Sequence, residues 1–231
     1  YMDDQVDRGV IAPTRLNLFF FLFHMFLLAM VIATVANSVG LQWVAIEATT
    51  LATTFLIAFW RRRESLEAGW KYLILCSVGI SLALFGVVLT YYSSVRGLGD
   101  ASSEINMTAL IGVANQLDPN VLKLAFIFML VGYGTKVGLV PMHTWLPDAY
   151  SEAPVPVAAM LAAGVLNCAL YGLVRFYILT SKSMGPQFGS QLLIGFGLLS
   201  MGVAVPFVLV QKSFRRLLAY SSVAHAGYML V

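Results

Sequence analysis

The chain has 231 residues, 59% of them hydrophobic and 11% charged, with a net charge of +3 from 14 basic and 11 acidic residues. Soluble domains carry about 25% charged residues, so a water-soluble globular domain is excluded. The small positive excess comes without basic clusters interleaved with aromatics, which argues against a strand-binding nucleic-acid protein.

The apolar runs are roughly twenty residues long and do not alternate. The expected fold is therefore an all-α polytopic transmembrane helix bundle, not a barrel. Residues 1–15 are polar and mixed in charge and read as a surface loop. Residues 16–231 read as one transmembrane domain with about seven spans. The first, 16–37, carries His24, a lone histidine expected to serve in packing. The second, 41–60, holds Glu47 in WVAIEATTLATTFLI. A carboxylate at that depth must face protein or water. Thr49, Thr50, Thr53 and Thr54 surround it and can hydrogen-bond across helices.

Arg61, Arg62 and Arg63 stop that span. The third, 70–92, starts at Trp70 and ends at Tyr91 and Tyr92, placed like interfacial aromatics. A polar loop, Ser93–Gln116, follows. Asp118 and Pro119 read as a helix cap and first helical residue.

The fourth span, 120–150, is the unusual one. Lys136 sits near the middle of an apolar run, among Gly132, Gly134 and Gly138, with Pro141 just beyond. A lysine in hydrocarbon costs about 2.5–3.5 kcal/mol even on the lenient insertion scale. It lies roughly fifteen residues from either end of the span, about 20 Å at 1.5 Å per residue, too far to snorkel. Glycine and proline weaken the helix here. The expectation is a broken helix, irregular between Gly134 and Pro141, with freed carbonyls near Lys136 facing water. The polar half after the break holds His143, Asp148 and Glu152.

The fifth span, 155–180, carries Asn167 near its middle. The sixth is 191–210. Lys212, Arg215 and Arg216 form a basic turn before an incomplete seventh, 217–231, which carries His225. The chain begins at Tyr1 and stops within an apolar pattern, so it is expected to be a fragment with helices missing at both ends. Cys76 and Cys168 lie in different spans and read as buried free thiols, without a disulfide frame. No Walker loop, dinucleotide fingerprint or metal-spaced His–Cys cluster is present, so no cofactor or metal is expected.

Four spans thus each carry one polar group at or toward mid-depth, Glu47, Lys136, Asn167 and His225, and these are the site candidates, with Thr50, His143, Asp148 and Glu152 in support. WVAIEATTLATTFL, GTKVGLVPMHTWLPDAYSEAPVPVAAML and SFRRLLAYSSVAHAGYM resemble the antiporter-like membrane subunits of complex I, membrane-bound hydrogenases and Mrp-type antiporters. PMHTWLPDAYSEAPVPV and LNCALYGLVRF are most similar to the F-subunit branch of the hydrogenase-4 and formate-hydrogenlyase type. The resemblance covers nearly the whole chain.

The resemblance implies a bundle of about fourteen helices with two inverted repeats, in the cell (inner) membrane, of which this chain supplies the fourth to the tenth. It implies that Glu47 and Lys136 are the family's paired glutamate and broken-helix lysine. It places His225 in a region of polar channel residues. Asn167 departs from the pattern, because many members carry lysine there. Asparagine cannot carry a proton but can hold a water. The implied function is proton translocation in a redox-driven complex of hydrogenase or NADH:quinone oxidoreductase type. The implied partners are other membrane subunits, peripheral redox subunits and the lipid bilayer, with no nucleic acid. The alternatives are an Mrp-type cation/proton antiporter component and a non-conducting membrane anchor.

A charge pair about 7 Å apart at an effective dielectric near 20 interacts by roughly 2.4 kcal/mol. Desolvation disfavours a charged amine and a nearby carboxylate favours it. Moving Glu47 relative to Lys136 is thus expected to govern the proton occupancy of the amine.

Successive loops alternate sides of the membrane. One side receives Arg8, Arg15, Arg61, Arg62, Arg63, Lys212, Arg215 and Arg216, and the other only Arg96 and Lys182. The positive-inside rule makes the first side cytoplasmic. Single cysteines placed in the Arg61–Arg63 and Lys212–Arg216 turns should be labelled from the cytoplasmic side only, and one in the Ser93–Gln116 segment from the outside only. Labelling of both basic turns from outside would reverse the orientation.

Overall fold

The structure, a computed structural model, describes residues 1–98 and 105–231. Part of the expected Ser93–Gln116 loop, residues 99–104, lies outside the described residues. Eleven α-helices follow in order among the described residues: α1 (Met2–Asp7), α2 (Pro13–Val35), α3 (Val39–Ile57), α4 (Arg63–Leu98), α5 (Met107–Gly112), α6 (Pro119–Val137), α7 (Trp145–Glu152), α8 (Val155–Met160), α9 (Leu166–Met184), α10 (Gln187–Val210) and α11 (Phe214–Leu230). A 3-10 turn, Ala58–Trp60, extends α3, and a π-turn, Leu161–Val165, joins α8 to α9. Among the described residues six segments are long and apolar enough to cross a membrane: Pro13–Val35, Val39–Trp60, Arg63–Arg96, Pro119–Glu152, Val155–Met184 and Gln187–Val210. The chain is an all-α helical membrane bundle.

Local chemistry sets the boundaries. Pro13 and Pro119 stand in the first turns of α2 and α6, where their missing N–H costs nothing. Asp118 Oδ1 accepts hydrogen bonds from the backbone N–H of Asn120 and Val121, at 2.9 and 3.4 Å. Two expected loops hold helix instead. α1 lies within residues 1–15, and its Met2 is buried, as is Ile11 after it, so this segment packs on the core and is not a free surface loop. Between Ser93 and Gln116, α4 continues to Leu98 and α5 follows, with Met107 and Leu110 buried.

The break in the fourth span is a helix end built from known parts. α6 stops at Val137, and Gly138 takes a left-handed conformation at φ +81°. Leu139 N–H then reaches the Gly134 carbonyl at 2.9 Å and Gly138 N–H the Thr135 carbonyl at 3.2 Å. This is a Schellman cap, which only glycine enters without a Cβ penalty. Val140–Pro141 is a cis peptide, and Met142–Thr144 forms a 3-10 turn into α7. The indole N–H of Trp145 also donates to the Thr135 carbonyl, at 2.8 Å. The expectation of freed carbonyls facing water is therefore corrected at Gly134 and Thr135. The chain turns back and caps both from inside.

α4 packs along α6, α2 along α3, and α10 along α11. The first pair comes close because of Gly132. A Cβ built there would sit 2.6 Å from Ala83 N and 2.7 Å from the Gly79 carbonyl, so two backbones touch. Small residues at helix interfaces permit such an approach in lipid, where packing drives association. Buried apolar side chains form two clusters. One gathers Phe26, Leu56, Tyr72, Trp145 and Leu161, and the other Phe126, Tyr133, Val137, Leu173 and Phe176.

Gly132→Ala should force α4 and α6 apart and lower stability by about 1–3 kcal/mol, the usual cost of overpacking. Gly195→Ala, where nothing lies within 4 Å of the new methyl, should leave stability unchanged or slightly higher. Thermal unfolding of the two variants in the same lipid system checks the contrast.

Candidate functional site

Lys136 lies in the last turn of α6 and is 1% exposed. Its Nζ donates to Thr50 Oγ1 on α3 at 2.8 Å and to Tyr72 OH on α4 at 2.6 Å. It also stands 4.7 Å from the centre of the Tyr72 ring. Thr50 Oγ1 in turn donates to Glu47 Oε2 at 3.0 Å, and Ser77 Oγ donates to Glu47 Oε1 at 3.2 Å. Lysine and glutamate are thus joined through one hydroxyl and not by direct contact. Glu47 is half-buried, whereas Thr50 is fully buried.

A second branch leaves Tyr72. Its hydroxyl is 2.7 Å from Thr53 Oγ1, which itself donates to the Thr49 carbonyl at 2.6 Å. Thr49, Thr50 and Thr53 are all buried along one side of α3. The Tyr72 ring meets Trp145 edge-on, with centroids 5.0 Å apart. Trp145 holds the Thr135 carbonyl, one residue before the lysine. Lys136, Tyr72, Trp145 and Thr135 therefore close a ring of contacts that ties the amine to the break.

The other expected residues divide. Asn167 and His225 line one cavity of about 190 Å³, together with Val137, Leu166 and Ser222. The π-turn ends at Val165, two residues before Asn167, and such turns are frequent at functional sites. Asn167 Nδ2 donates to the Ala163 carbonyl at 2.8 Å, and His225 Nδ1 lies 2.8 Å from the Ser221 carbonyl. Both side chains are exposed in this chain, and neither hydrogen-bonds the Lys136 cluster.

At the end of the bundle where α3 stops and α4 starts, Asp148 bonds Lys71 at 3.1 Å and Arg216 at 2.8 Å. It thereby fastens α7 to α4 and α11. Glu152 lines the same polar cavity, with Glu64 and Glu67. His143 stands apart, its ring 6.2 Å from that of Tyr220 and its Nδ1 buried without a partner. Cys76 and Cys168 are free and buried. Among the described residues no three His, Cys, Asp or Glu gather as a metal site.

Tyr72 and Ser77 were not singled out from the sequence, whereas Thr53 was, among the threonines around Glu47. A signal existed for the first. Tyr72, Cys76, Gly79, Ala83 and Gly86 recur at alternating spacings of four and three, a stripe of mostly small residues that marks the face of α4 against α6.

Fold and site together define a polytopic helical membrane protein with a lysine held at a broken helix. The chain belongs to the family described as "NADH:quinone oxidoreductase/Mrp antiporter, TM", which matches residues 36–231. It is 41% identical over 227 residues to the hydrogenase-4 component F homolog of Methylacidiphilum infernorum (isolate V4), covering 98% of this chain and 48% of that protein. It is 34% identical over 207 residues to NADH-quinone oxidoreductase subunit N of Myxococcus xanthus (strain DK1622), covering 87% and 38%. Among solved structures, a chain of the membrane-bound sulfane sulfur reductase, an archaeal respiratory membrane complex, superposes with TM-score 0.82 at 30% identity, over 90% of this chain and 41% of that one. A chain of respiratory complex I from Thermus thermophilus with bound aureothin superposes with TM-score 0.78 at 32% identity, over 96% and 46%. The chain spans about half the length of the curated relatives it matches, or less. Membership and the six apolar segments make it a multi-pass protein of the cell (inner) membrane.

The hydroxyl branch can be tested by one pair of substitutions. Thr53→Ser keeps the oxygen beside Tyr72 and removes a methyl, whereas Thr53→Val keeps the shape and removes the oxygen. If the hydroxyl orients the phenol against the amine, and the assembled complex moves protons through this site, serine should retain most of that transfer and valine should lose severalfold, at equal assembly. If Thr53 only packs, the order reverses.

Proposed function

We propose that this chain is a proton-translocating part of a membrane subunit in a redox-driven complex, of the hydrogenase-4 or NADH:quinone oxidoreductase type. The observation that carries the reading is the bridge Lys136–Thr50–Glu47 at a capped helix break. The relatives' names, a hydrogenase-4 component F homolog and an NADH-quinone oxidoreductase subunit N, support a redox complex over a free-standing antiporter. Electron transfer then falls to peripheral redox subunits, and other membrane subunits complete the proton route within the bilayer.

The chemistry needs no cofactor in this chain. Protonated Lys136 gives one N–H proton to Thr50 Oγ1 as the Thr50 hydroxyl proton passes to Glu47 Oε2. The amine becomes neutral, the carboxylate becomes a carboxylic acid, and the threonine is restored. The reverse shift reloads the lysine. Ser77 holds the second carboxylate oxygen throughout, so Glu47 keeps its orientation. Tyr72 accepts from the charged amine and favours that form. Asn167 and His225 sit on a separate cavity, behind Val137, and serve the next stage of the route, with asparagine ordering water and the imidazole offering ring nitrogens that can donate or accept a hydrogen bond. Asp148 and Glu152 lie on the helix after the break and His143 in the turn before it, and Asp148 fastens that helix through Lys71 and Arg216.

Lys136→Ala should abolish or strongly reduce proton translocation in assembled complexes, and Lys136→Arg should not rescue it. Arginine keeps the charge but holds its proton with a pKa above about 12. Proton uptake into inverted vesicles is the measurement, with subunit content determined in the same preparation. Full pumping by a well-assembled arginine variant would sink the carrier role and leave Lys136 as a structural counter-ion.

A further inference from the structure

We infer that the groove between α2 and α3 is a binding site for one anionic phospholipid, with its phosphate held between Arg15 and Arg61. A cavity of about 440 Å³ opens where the two helices reach the basic end of the bundle. Its polar lining is these two arginines, and Leu18, Leu22, Phe55 and Leu66 form most of the rest. No carboxylate lines it.

Both guanidiniums have donors to spare. Arg15 gives one Nη2 bond to the Phe59 carbonyl and lies over the Phe59 ring, 5.0 Å from its centre, which leaves the other donors of its fork free. The Arg61 side chain is exposed and makes no hydrogen bond or ion pair among the described residues. Its backbone is left-handed at φ 54°, a conformation that disfavours any residue with a Cβ. Two cations share one apolar-walled pocket with no protein anion to neutralise them.

The pocket continues into a second cavity of about 400 Å³, which is lined by apolar side chains alone. Leu22 and Phe55 belong to both, and the second runs along α2 as far as Ile32. Ten helical residues from Leu22 to Ile32 span about 15 Å. That is half of a hydrocarbon core of about 30 Å, the depth of one leaflet. Cationic head, apolar trough and single-leaflet length together match an acyl chain with an anionic headgroup. Free phosphate would leave the trough empty, and a partner helix would leave the two arginines without a counter-charge. The positive-inside rule puts the site in the cytoplasmic leaflet.

The test uses the assembled complex, delipidated and then exposed to phosphatidylglycerol or to phosphatidylcholine with the same acyl chains. Native mass spectrometry counts the lipid retained. Wild type should keep phosphatidylglycerol severalfold better than phosphatidylcholine, and inorganic phosphate should not displace it. Arg61→Gln, which breaks no protein contact, should cut phosphatidylglycerol retention about fivefold, the weight of one basic residue at an anionic surface. Adding Arg15→Gln should remove the remaining preference, and Lys212→Gln, at the other basic turn, should leave it intact. Leu51→Trp, which fills the trough, should lower retention of both lipids. Equal retention of the two lipids by wild type, or unchanged preference in Arg61→Gln, overturns the site. A co-purifying helix in the groove with no bound lipid does the same.

Discussion

One buried ammonium sets the terms for the rest of this structure. An ionised amine removed from water must be hydrogen-bonded or neutralised, because the interior replaces only part of its hydration. Lys136 has three N–H donors, and Thr50 and Tyr72 take two of them, from two different helices. The carboxylate of Glu47 stands one hydroxyl further away. α3, α4 and α6 must therefore meet at one depth for the lysine to be tolerated at all. Gly132 lets α6 come close enough to α4 for Tyr72 to reach.

The break contributes more than flexibility. By ending α6 at Val137, it puts the negative end of the helix dipole beside the lysine, in the last turn. Such placement stabilises a cation by about 0.3–1 kcal/mol, and by up to about 2 when partly buried. Two carbonyls that would otherwise be orphaned, those of Gly134 and Thr135, are closed by Gly138, Leu139 and Trp145. Trp145 then meets Tyr72, which holds the amine. α7 is thus linked to the lysine through two aromatic rings. Asp148, bonded to Lys71 and Arg216, sets where α7 rests. Partly exposed ion pairs of this kind are individually weak, about 0–1 kcal/mol.

The sequence made some of this legible and hid the rest for physical reasons. Lys136 and Glu47 stand out because charge in an apolar run is costly whatever the fold, and three glycines with a proline announce a weakened helix without any partner being known. The caps on the break do not show, because they depend on the chain folding back on itself. Tyr72 does not stand out either, since tyrosine near a membrane surface is ordinary and only its contacts give it a role. The same limit applies to Asn167 and His225. Each is polar in an apolar helix, but which cavity a polar group faces depends on helix rotation. The structure brings these two together around Val137 and apart from the hydroxyl bridge. The short α1 was missed because six residues carry too little periodicity to read.

The hydroxyl between the charges also bears on how such a site can work repeatedly. A carboxylate touching an ammonium at about 3 Å gains about 5.5 kcal/mol at an effective dielectric of 20, whereas a separation near 6 Å gains about 2.8. The difference is close to a hundredfold in proton occupancy, since each 1.36 kcal/mol is a factor of about ten. A direct pair would hold the lysine charged through most movements of the protein. In the proton route proposed above, Thr50 keeps the attraction large enough to load the amine and small enough for a modest displacement of α3, α4 or α7 to unload it. On that proposal the threonine is both the path for the proton and the spacer that makes its release energetically accessible. Serine in the same place would supply the path, but without the methyl it would hold that spacing less firmly, because a β-branched side chain is stiff at χ1.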